Sequence, residues 1–497
     1  MSFALADFGH SDFLVSYIGT QDLHTMSVSA LPFTYSYFSL PASFYHRQFP
    51  EPCPEPELVV WNQELAEALN LPLRGWEEAD RIRLLSGMER PEGMTPFAQA
   101  YAGHQFGHFN MLGDGRALML GEWTDEQGQL FDLQWKGSGK TPFSRRGDGK
   151  ATLASMLREY LISEAMHALG IPTSRSLAVL KTGEKVAREM DFPGALLVRV
   201  ARAHLRTGTF EWARNLRPAE ELHALFYYTA KRLCPEALAT ENPALYFFEK
   251  VMDQHLSLVA QWMGVGFIHG VMNTDNMSLA GETIDYGPCA FMNRYHPGTV
   301  YSYIDEDGRY AFGNQPHILR WNLGVLAGAM LPLFHKEQTV ARDLVLSVLD
   351  HFPAKWQNQW EKMMAEKLGL PEKQPAHAAL IGDLLAWMES TGADYTQTFH
   401  DLSMEKDIPG LPETWKKEWL AHRDSGGLER MRKANPAHIP RNHWVEEALS
   451  EATEGRWEIW HQLLDLVQHP YDPERRFPRP AKPENDWQEG FHTFCGT

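Results

Sequence analysis

The sequence predicts an α+β fold with two lobes, a small strand-rich lobe followed by a larger helical lobe. Three observations support this prediction. The chain has 497 residues, which exceeds the usual size of a domain with one hydrophobic core. Strand-like runs and glycine turns lie between Gly103 and Val200, and helical periodicity dominates after about residue 216. We therefore expect an N-terminal extension and connector (residues 1–56), a first lobe (57–215), a second lobe (216–470) and a tail (471–497).

Local signals predict the elements of the first lobe. A proline-rich connector at residues 49–56 leads to a short helix, for which Asn62 is a possible cap. Apolar spacing indicates a longer helix, which Gly170 and Pro172 end. The predicted helices are residues 64–69 and 151–169, and the clearest strands are residues 117–120, 130–135 (leading into Lys136) and 195–200.

Helical periodicity continues through the second lobe. The clearest helices are predicted at residues 219–234, 243–263 and 318–331, and Pro332 is expected to end the last of them. The acidic, tryptophan-rich remainder to about residue 470 has the same character, and the final proline-rich segment is predicted to be a surface tail. Residues 1–25 are only weakly patterned.

The composition argues against several classes of protein. The formal net charge is −18, so the chain lacks the broad basic surface that nucleic-acid phosphates require. Its four cysteines include no Cys-x-x-Cys pair and indicate a reducing, cytoplasmic setting. The longest apolar stretch, residues 323–334, suits a core helix better than a membrane span, and no secretory signal is visible. We expect a monomer without nucleic-acid or membrane partners.

The most informative segment is HGVMNTDN at residues 269–276, followed by Asp285-Tyr-Gly. In protein kinases the corresponding stretch reads H-R-D-x-x-x-x-N and then D-F-G, where the Asn and the second Asp bind the metal ions on ATP. Asn276 and Asp285 occupy those positions and predict a site for Mg²⁺ or Mn²⁺, although a polar hairpin would also use such residues. Val271 stands where kinases have the catalytic base and cannot accept a proton, whereas Asp275 places a carboxylate beside Asn276.

A glycine turn in the first lobe predicts a phosphate-binding element. Gly113 and Gly115 would let backbone N–H groups approach phosphate oxygens, and Arg116 adds a positive charge. About twenty residues later a predicted strand ends at Lys136, which is the order found in the upper lobe of kinases. A plain hairpin turn and a solvated lysine are the alternative.

A second turn, RRGDGK at residues 145–150, contains Asp148 and Gly149 and precedes the helix predicted from residue 151. Free N–H groups at a helix start would form an anion site with the flanking cations, but Asp148 could equally serve as an ordinary helix cap. Arg199 and Arg206 lie near a predicted strand end, where guanidinium groups could bind phosphate or form surface salt bridges.

The predicted helix at residues 151–169 offers two partners for Lys136. Glu164 lies within the apolar stripe of this helix, and Glu159 lies on the opposite side. Helical periodicity does not choose between the two glutamates.

Several longer segments resemble one known family. They are AGHQFG, LGDGR, WKGSGKTPFSRRGDGK, SEAMHALGIPT, HGVMNTDNMSL and DYGP. This series, which extends from about residue 55 to 325, resembles the SelO (YdiU) family of protein adenylyltransferases, which have a protein-kinase-like fold. The resemblance implies transfer of AMP from ATP to protein hydroxyl groups, with ATP reversed relative to its orientation in kinases.

The resemblance also implies roles for individual residues. It implies that Asp275 is the general base, that Asn276 and Asp285 bind the metal, and that Glu159 pairs with Lys136. The implied phosphate-binding positions are Gly113, Gly115, Arg116, Lys136, Asp148, Gly149, Arg199 and Arg206. A kinase that transfers the γ-phosphate and a nucleotide-binding protein without catalysis remain the alternatives, and neither the preference for ATP over UTP nor the target proteins follow from the sequence.

The cysteines depart from the family pattern. Some relatives carry a loop cysteine after D-Y-G-P that pairs with a C-terminal cysteine, the position of Cys495 here. The loop position corresponds to Tyr301, so that this disulfide is in doubt, although Cys289 is a nearby thiol that could replace it.

Overall fold

The computed structural model describes residues 33–371, 375–481 and 491–493, with only the backbone of residues 375 and 376. Residues 1–25 and Cys495, for which the sequence offered expectations, lie outside the described residues. Within them, strands are concentrated in the N-terminal region and helices in the C-terminal region, which confirms the predicted order of strands and helices.

An antiparallel sheet of eight strands forms the core of the N-terminal region. Its order is β1-β3-β6-β7-β10-β9-β2, and β8 pairs with β10. The remaining strands form two separate pairs, β4 with β5 and β11 with β12. The strands are β1 (Tyr45–Arg47), β2 (Glu57–Trp61), β3 (Phe97–Gln99), β4 (Ala102–Gln105), β5 (His108–Met111), β6 (Ala117–Thr124), β7 (Leu130–Lys136), β8 (Ala151–Thr152), β9 (Arg175–Ala187), β10 (Asp191–Ala201), β11 (Phe267–Ile268) and β12 (Ala290–Phe291). The predicted strands at 117–120, 130–135 and 195–200 are confirmed within β6, β7 and β10.

The pleat of β7 explains how the sheet presents a lysine to the site. Side chains alternate between the two faces of a strand, and Leu133 and Trp135 belong to the apolar core on one face. Gln134 and Lys136 therefore point to the other face. Arg199 of β10 lies opposite Gln134 and shares this face.

The helices account for most of the C-terminal region. Among the described residues, no helix is long and apolar enough to cross a bilayer. The helices are α1 (Gln63–Ala68), α2 (Glu78–Leu85), α3 (Leu153–Ala168), α4 (Thr207–Leu216), α5 (Ala219–Leu233), α6 (Pro243–Gly264), α7 (Gln315–Phe334), α8 (Gln338–Leu349), α9 (Phe352–Leu368), α10 (Pro375–Thr391), α11 (Tyr395–Ser403), α12 (Glu413–His422), α13 (Gly427–Ala434), α14 (Asn442–Thr453) and α15 (Glu458–Gln468). The predicted cap of α1 is confirmed, because the Asn62 side chain accepts a hydrogen bond from the backbone of Leu65.

Three predicted helix boundaries were wrong. Helix α7 begins at Gln315, before the predicted residue 318, and Pro332 lies inside it instead of ending it, so that the helix continues to Phe334. The helix predicted from residue 151 begins at Leu153, because Ala151 and Thr152 pair with β10 as strand β8. Thr152 caps this helix, so the turn at residues 145–150 does not adjoin a helix N-terminus and Asp148 is not its cap.

Helix α3 is buried on both faces. It packs against β9 and β10 on one side and against α14 and α15 on the other. This two-sided packing buries Glu159 and Glu164, each with 2% of its surface exposed. A single apolar stripe was therefore a poor guide to which glutamate faces the site.

The described proline-rich part of the C-terminal segment, residues 471–481, is exposed or half-buried, as expected of a surface tail, whereas residues 491–493 dock onto a loop near Asp285. The backbone N–H of Thr493 donates to the carbonyl of Tyr301 at 2.7 Å, and its hydroxyl donates to the carbonyl of Pro288 at 2.6 Å. Cys289 is fully buried and forms no disulfide with another described cysteine.

Lys367 in α9 provides a test of the packing of the helical region. Burial lowers the pKa of its ammonium group from 10.5 to about 7, and its Nζ lies 4.2 Å from the centre of the Phe399 ring. Between these two pKa values the unfolded chain holds a proton that the folded chain has lost, so stability rises with pH in this window. We expect Lys367→Met to stabilise the protein by about 1–4 kcal/mol at pH 7.

The measurement is urea unfolding of the wild type and of Lys367→Met at several pH values. The difference in unfolding free energy between the two proteins should shrink as the pH rises from 7 towards 10.5, because wild-type stability increases there. A difference that does not change with pH would show that Lys367 is not buried as a strained cation.

Candidate active site

Four charged side chains meet between β7, β10, α3 and the loop after β11, and we call them the ion cluster: Lys136, Glu159, Arg199 and Asp285. The Lys136 ammonium donates to Glu159 at 2.6 Å and to Oδ1 of Asp285. Arg199 donates to Glu159 and, at 2.9 Å, to the same Oδ1 of Asp285. Each cation thus contacts both carboxylates, and the four formal charges cancel.

The ion cluster keeps both acids ionised. Burial would raise the pKa of Glu159, but Arg199 and Lys136 outweigh burial and hold that pKa below its usual value. Burial opposes ionisation of Asp285 as well, yet Lys136, Arg199 and Arg116 hold its pKa well below the usual range. The cluster is therefore a set of full charges that a phosphate or a cation could reorganise.

Glu164 does not join this cluster. Its two carboxylate oxygens accept hydrogen bonds from Nε and Nη2 of Arg175, at 2.8 and 2.6 Å. Of the two glutamates between which helical periodicity did not choose, Lys136 thus contacts Glu159.

Asp275 lies in a short helical turn at residues 274–276, and its carboxylate has few partners. Gln105 of β4 donates to Oδ2 at 3.4 Å, while the buried Oδ1 has no hydrogen-bond partner among the described residues. Burial raises the pKa of Asp275 to about 6, against the lowering influence of Arg206. A buried carboxylate with an unused oxygen and a pKa near neutrality can accept a proton.

Oxygen atoms suitable for a hard cation lie beside Asp275. The Asn276 amide nitrogen donates to the carbonyl of Val271 at 3.0 Å, so its side-chain oxygen is the atom available to a ligand. Among the described residues, no group of three or more His, Cys, Asp or Glu side chains could hold a metal ion. Asn276 and Asp285 fit Mg²⁺ or Mn²⁺ only as part of a shell that phosphate oxygens and water complete.

Both glycine turns pack tightly against the segment at residues 139–144. A side chain at Gly113 would place Cβ 2.4 Å from the Phe143 ring, and one at Gly115 would lie 3.0 Å from the Phe143 carbonyl. At Gly149 the Cβ would lie 2.0 Å from the carbonyl of Gly139. Close packing against this segment is therefore sufficient reason for glycine in both turns, in addition to any approach by phosphate.

Arginine side chains surround these turns. Nη1 of Arg116 is buried and has no hydrogen-bond partner among the described residues. Arg188, which the sequence analysis did not single out, donates to Asp148 at 2.7 and 3.2 Å. Arg206 donates to the backbone carbonyl of Asp275 at 3.1 Å, and its guanidinium lies over the ring of Tyr101.

A cavity of about 920 Å³ connects the glycine turns with the buried carboxylate. Of the predicted site residues its walls include Gly113, Gly115, Arg116, Asp148, Gly149 and Asp275. The predicted residues of the ion cluster are not on these walls, because their side chains are turned towards one another. This volume is within the range that ligands the size of a nucleotide occupy.

The β4–β5 hairpin holds the loop that carries Asp275. The backbone N–H of His104 donates to the Thr274 hydroxyl at 2.7 Å, and that of Phe106 donates to the Asn273 side chain at 3.1 Å. Gly103 lies directly against Asp275. Gly103 was not among the predicted site residues, although a glycine in the middle of a strand is itself a sign of close approach.

Gly103→Ala should reduce catalysis without unfolding the protein. The added Cβ would lie 3.1 Å from both Cβ and Oδ1 of Asp275, so this side chain would have to shift by a few tenths of an ångström. We expect kcat/KM to fall by about 10- to 100-fold, since small misplacements of a reacting group have effects of this size. Gly328→Ala, at an exposed helical glycine whose Cβ would contact nothing within 4 Å, controls for a general effect of alanine. Equal activity of Gly103→Ala and wild type would mean that Asp275 is not held in place by this contact.

Comparison with known proteins places the chain in a family. The profile of the family described as protein adenylyltransferase SelO matches residues 27–468. A protein nucleotidyltransferase YdiU from Brevibacillus brevis is 48% identical over 482 residues, which cover 94% of this chain and 97% of the relative. Proteins of the same name from Anoxybacillus flavithermus and Clostridium botulinum are each 47% identical over 475 residues, covering 94% and 93% of this chain and 99% and 97% of the relatives. This chain belongs to the SelO family of protein adenylyltransferases.

Proposed function

We propose that this protein transfers AMP from ATP to the hydroxyl groups of Ser, Thr or Tyr side chains in other proteins and releases pyrophosphate. The observation that carries the proposal is the position of Asp275. Its carboxylate is on the cavity wall with one oxygen unused, and it is next to Asn276, whereas Val271 stands where a kinase has its base.

In the proposed reaction Asp275 accepts the proton of the acceptor hydroxyl. The hydroxyl oxygen then forms a bond to the α-phosphorus, and the bond from that phosphorus to the bridging oxygen of pyrophosphate breaks. Lys136, Arg199, Arg206 and Arg116 would bind the phosphates and stabilise the charge on the leaving pyrophosphate. Asn276 and Asp285 would hold Mg²⁺ or Mn²⁺, which supplies further charge compensation on the phosphates.

The ion cluster supports a rearrangement on binding. Lys136 and Arg199 both occupy Oδ1 of Asp285, so a metal ion would bind this carboxylate through Oδ2, or through Oδ1 once the two cations exchange it for another anion. A triphosphate that enters with its metal ion supplies both the anion and the cation. In the absence of nucleotide, the ion pairs of the cluster would thus keep these four side chains in place.

We also propose that the strand-rich and helical regions are the two lobes of a protein-kinase-like fold. The first lobe would extend over residues 57–215 and the second over 216–470, flanked by the extension at 1–56 and the tail at 471–497. The antiparallel sheet with Lys136 at a strand end, and α3 with Glu159 against it, support this assignment. In this assignment the proposed nucleotide site would lie between the lobes.

ATP labelled on the α- or the γ-phosphate distinguishes the proposal from its two rivals. Incubation with protein acceptors and Mg²⁺ or Mn²⁺ should label protein from the α-position only, and mass spectrometry should find AMP on hydroxyl side chains. Labelling from the γ-position alone would make the protein a kinase. Binding of ATP without labelling from either position would make it a nucleotide-binding protein without catalysis.

A further inference from the structure

An open groove lies on the helical region, away from the ion cluster. It runs between the first turns of α7, the first turns of α9 and the loop after β12, and we call it the α7–α9 groove. Its volume is about 410 Å³. Phe312, Trp356 and Trp360 contribute apolar surface, and the two tryptophan rings are stacked with their centres 6.3 Å apart. No residue proposed for nucleotide binding lines it.

The charge on the lining of this groove is opposite to that of the chain. The protein has 64 acidic and 46 strongly basic residues, yet none of the described residues that line the groove carries a carboxylate. His317 and Arg320 of α7 are exposed along one wall. A ligand with negative charge and a large apolar group would match this surface.

The shape of the groove suits a protein segment better than a small molecule. Pro353 and Gln357 are exposed on the wall formed by α9, and His317 and Arg320 are exposed on the wall opposite. Small ligands are usually buried over most of their surface, whereas an extended segment of a protein needs to bury only one face. The occupant that fits is therefore an extended acidic segment with a large apolar side chain.

Helix α7 connects this groove with the proposed catalytic loop. The Gln315 side chain accepts a hydrogen bond from the backbone N–H of His269 at 3.1 Å, and the Asn322 side chain donates to the carbonyl of Met272 at 3.0 Å. In the loop just before α7, Phe312 is two residues from Tyr310, whose hydroxyl donates to the side chain of Asn273 at 2.6 Å. Residues that line the groove and residues that hydrogen-bond the loop of Asp275 thus belong to the same helix and the segment before it.

We propose that the α7–α9 groove docks an acidic, apolar segment of the acceptor protein and so selects which proteins are modified, an inference that rests on the proposed transfer of AMP. Docking at a separate groove raises the local concentration of the acceptor hydroxyl near Asp275. The nucleotide site needs no contact with the docked segment.

Arg320→Glu tests this proposal, with Arg342→Glu as the matched control. Both arginines are exposed on neighbouring helices, and only Arg320 lines the groove. The probe is a fluorescent peptide with glutamates around a leucine and a tryptophan, and a second peptide has lysines in place of the glutamates. The wild type and Arg342→Glu should bind the acidic peptide about tenfold more tightly than Arg320→Glu does. The wild type should also bind the acidic peptide more tightly than the basic peptide.

Transfer is measured on the same proteins with α-labelled ATP and the proteins of a cell extract. Arg320→Glu should lose most of the labelling of extract proteins while its affinity for ATP, measured by calorimetry, and its thermal unfolding stay as in the wild type. The acidic peptide should inhibit labelling by the wild type. Labelling by Arg320→Glu at the wild-type level, or equal binding of the two peptides, would overturn the docking proposal and leave the proposed function intact.

The remaining outcomes are also decisive. If the wild type labels no protein from the α-position, the proposed function fails and the assignment of the groove to an acceptor fails with it, whatever the peptides show. If sedimentation shows a wild-type dimer that Arg320→Glu dissociates, the occupant is a second copy of this chain and the docking proposal is wrong.

Discussion

Asp275→Asn should reduce the transfer of AMP by about 10²- to 10⁴-fold, the usual contribution of a general base. Asparagine has nearly the shape of aspartate but cannot take the hydroxyl proton. The substitution should not weaken folding, because it removes a buried charge whose Oδ1 has no hydrogen-bond partner among the described residues. ATP affinity, measured by calorimetry with Mg²⁺, should stay within about threefold of the wild type, since Asp275 contacts no phosphate in the proposed reaction.

Glu282→Gln is the matched control for this experiment. Glu282 is half-buried, and burial raises its pKa to about 7, so that it too is an acid that ionises with difficulty. Its carboxylate accepts a hydrogen bond from the backbone of Arg202 and does not line the cavity of Asp275. If Glu282→Gln lost as much transfer activity as Asp275→Asn, the loss would reflect neutralisation of a buried acid rather than removal of the base.

The sequence predicted the parts of the site whose geometry is local. Asn276 and Asp275 are adjacent in the chain, so any turn that holds one near a ligand also brings the other. Lys136 was predicted because a glycine turn, strands and a lysine at a strand end follow one another in the order found in the upper lobe of kinases. The order of strands and helices could be predicted because the periodicity of apolar residues depends only on residues within one element.

Parts of the site that depend on packing between distant segments escaped the sequence analysis. Glu159 and Glu164 are equally buried, and they differ in the cation that each one contacts, Lys136 or Arg175. A helical wheel shows only the helix itself and carries no information about these partners. Gly103 contacts Asp275 across about 170 residues of chain. The start of α3 was misplaced because pairing of β8 with a distant strand outweighed the helix signal.

Glu159→Gln is expected to have the second large effect, on both stability and activity. The substitution leaves the buried cations Lys136 and Arg199 with Asp285 as their only carboxylate in the ion cluster, so the cluster gains one uncompensated positive charge. Breaking a buried ion pair in this way usually destabilises a protein by about 3–5 kcal/mol. Loss of this carboxylate should also shift Lys136 and Asp285 from their positions, and we expect transfer to fall by about 10²-fold.

Glu164→Gln is the control, because it is on the same helix, is buried to the same extent and pairs only with Arg175 within the residues described. Both variants should unfold at lower urea concentrations than the wild type. Saturating ATP with Mg²⁺ should restore more stability to Glu159→Gln than to Glu164→Gln, because only the ion cluster would receive the negative charge of the phosphates. Equal recovery in the two variants would indicate that the triphosphate does not contact Lys136 and Arg199. The proposed exchange of Asp285 for phosphate would then be wrong, since that exchange requires the two cations to bind the nucleotide.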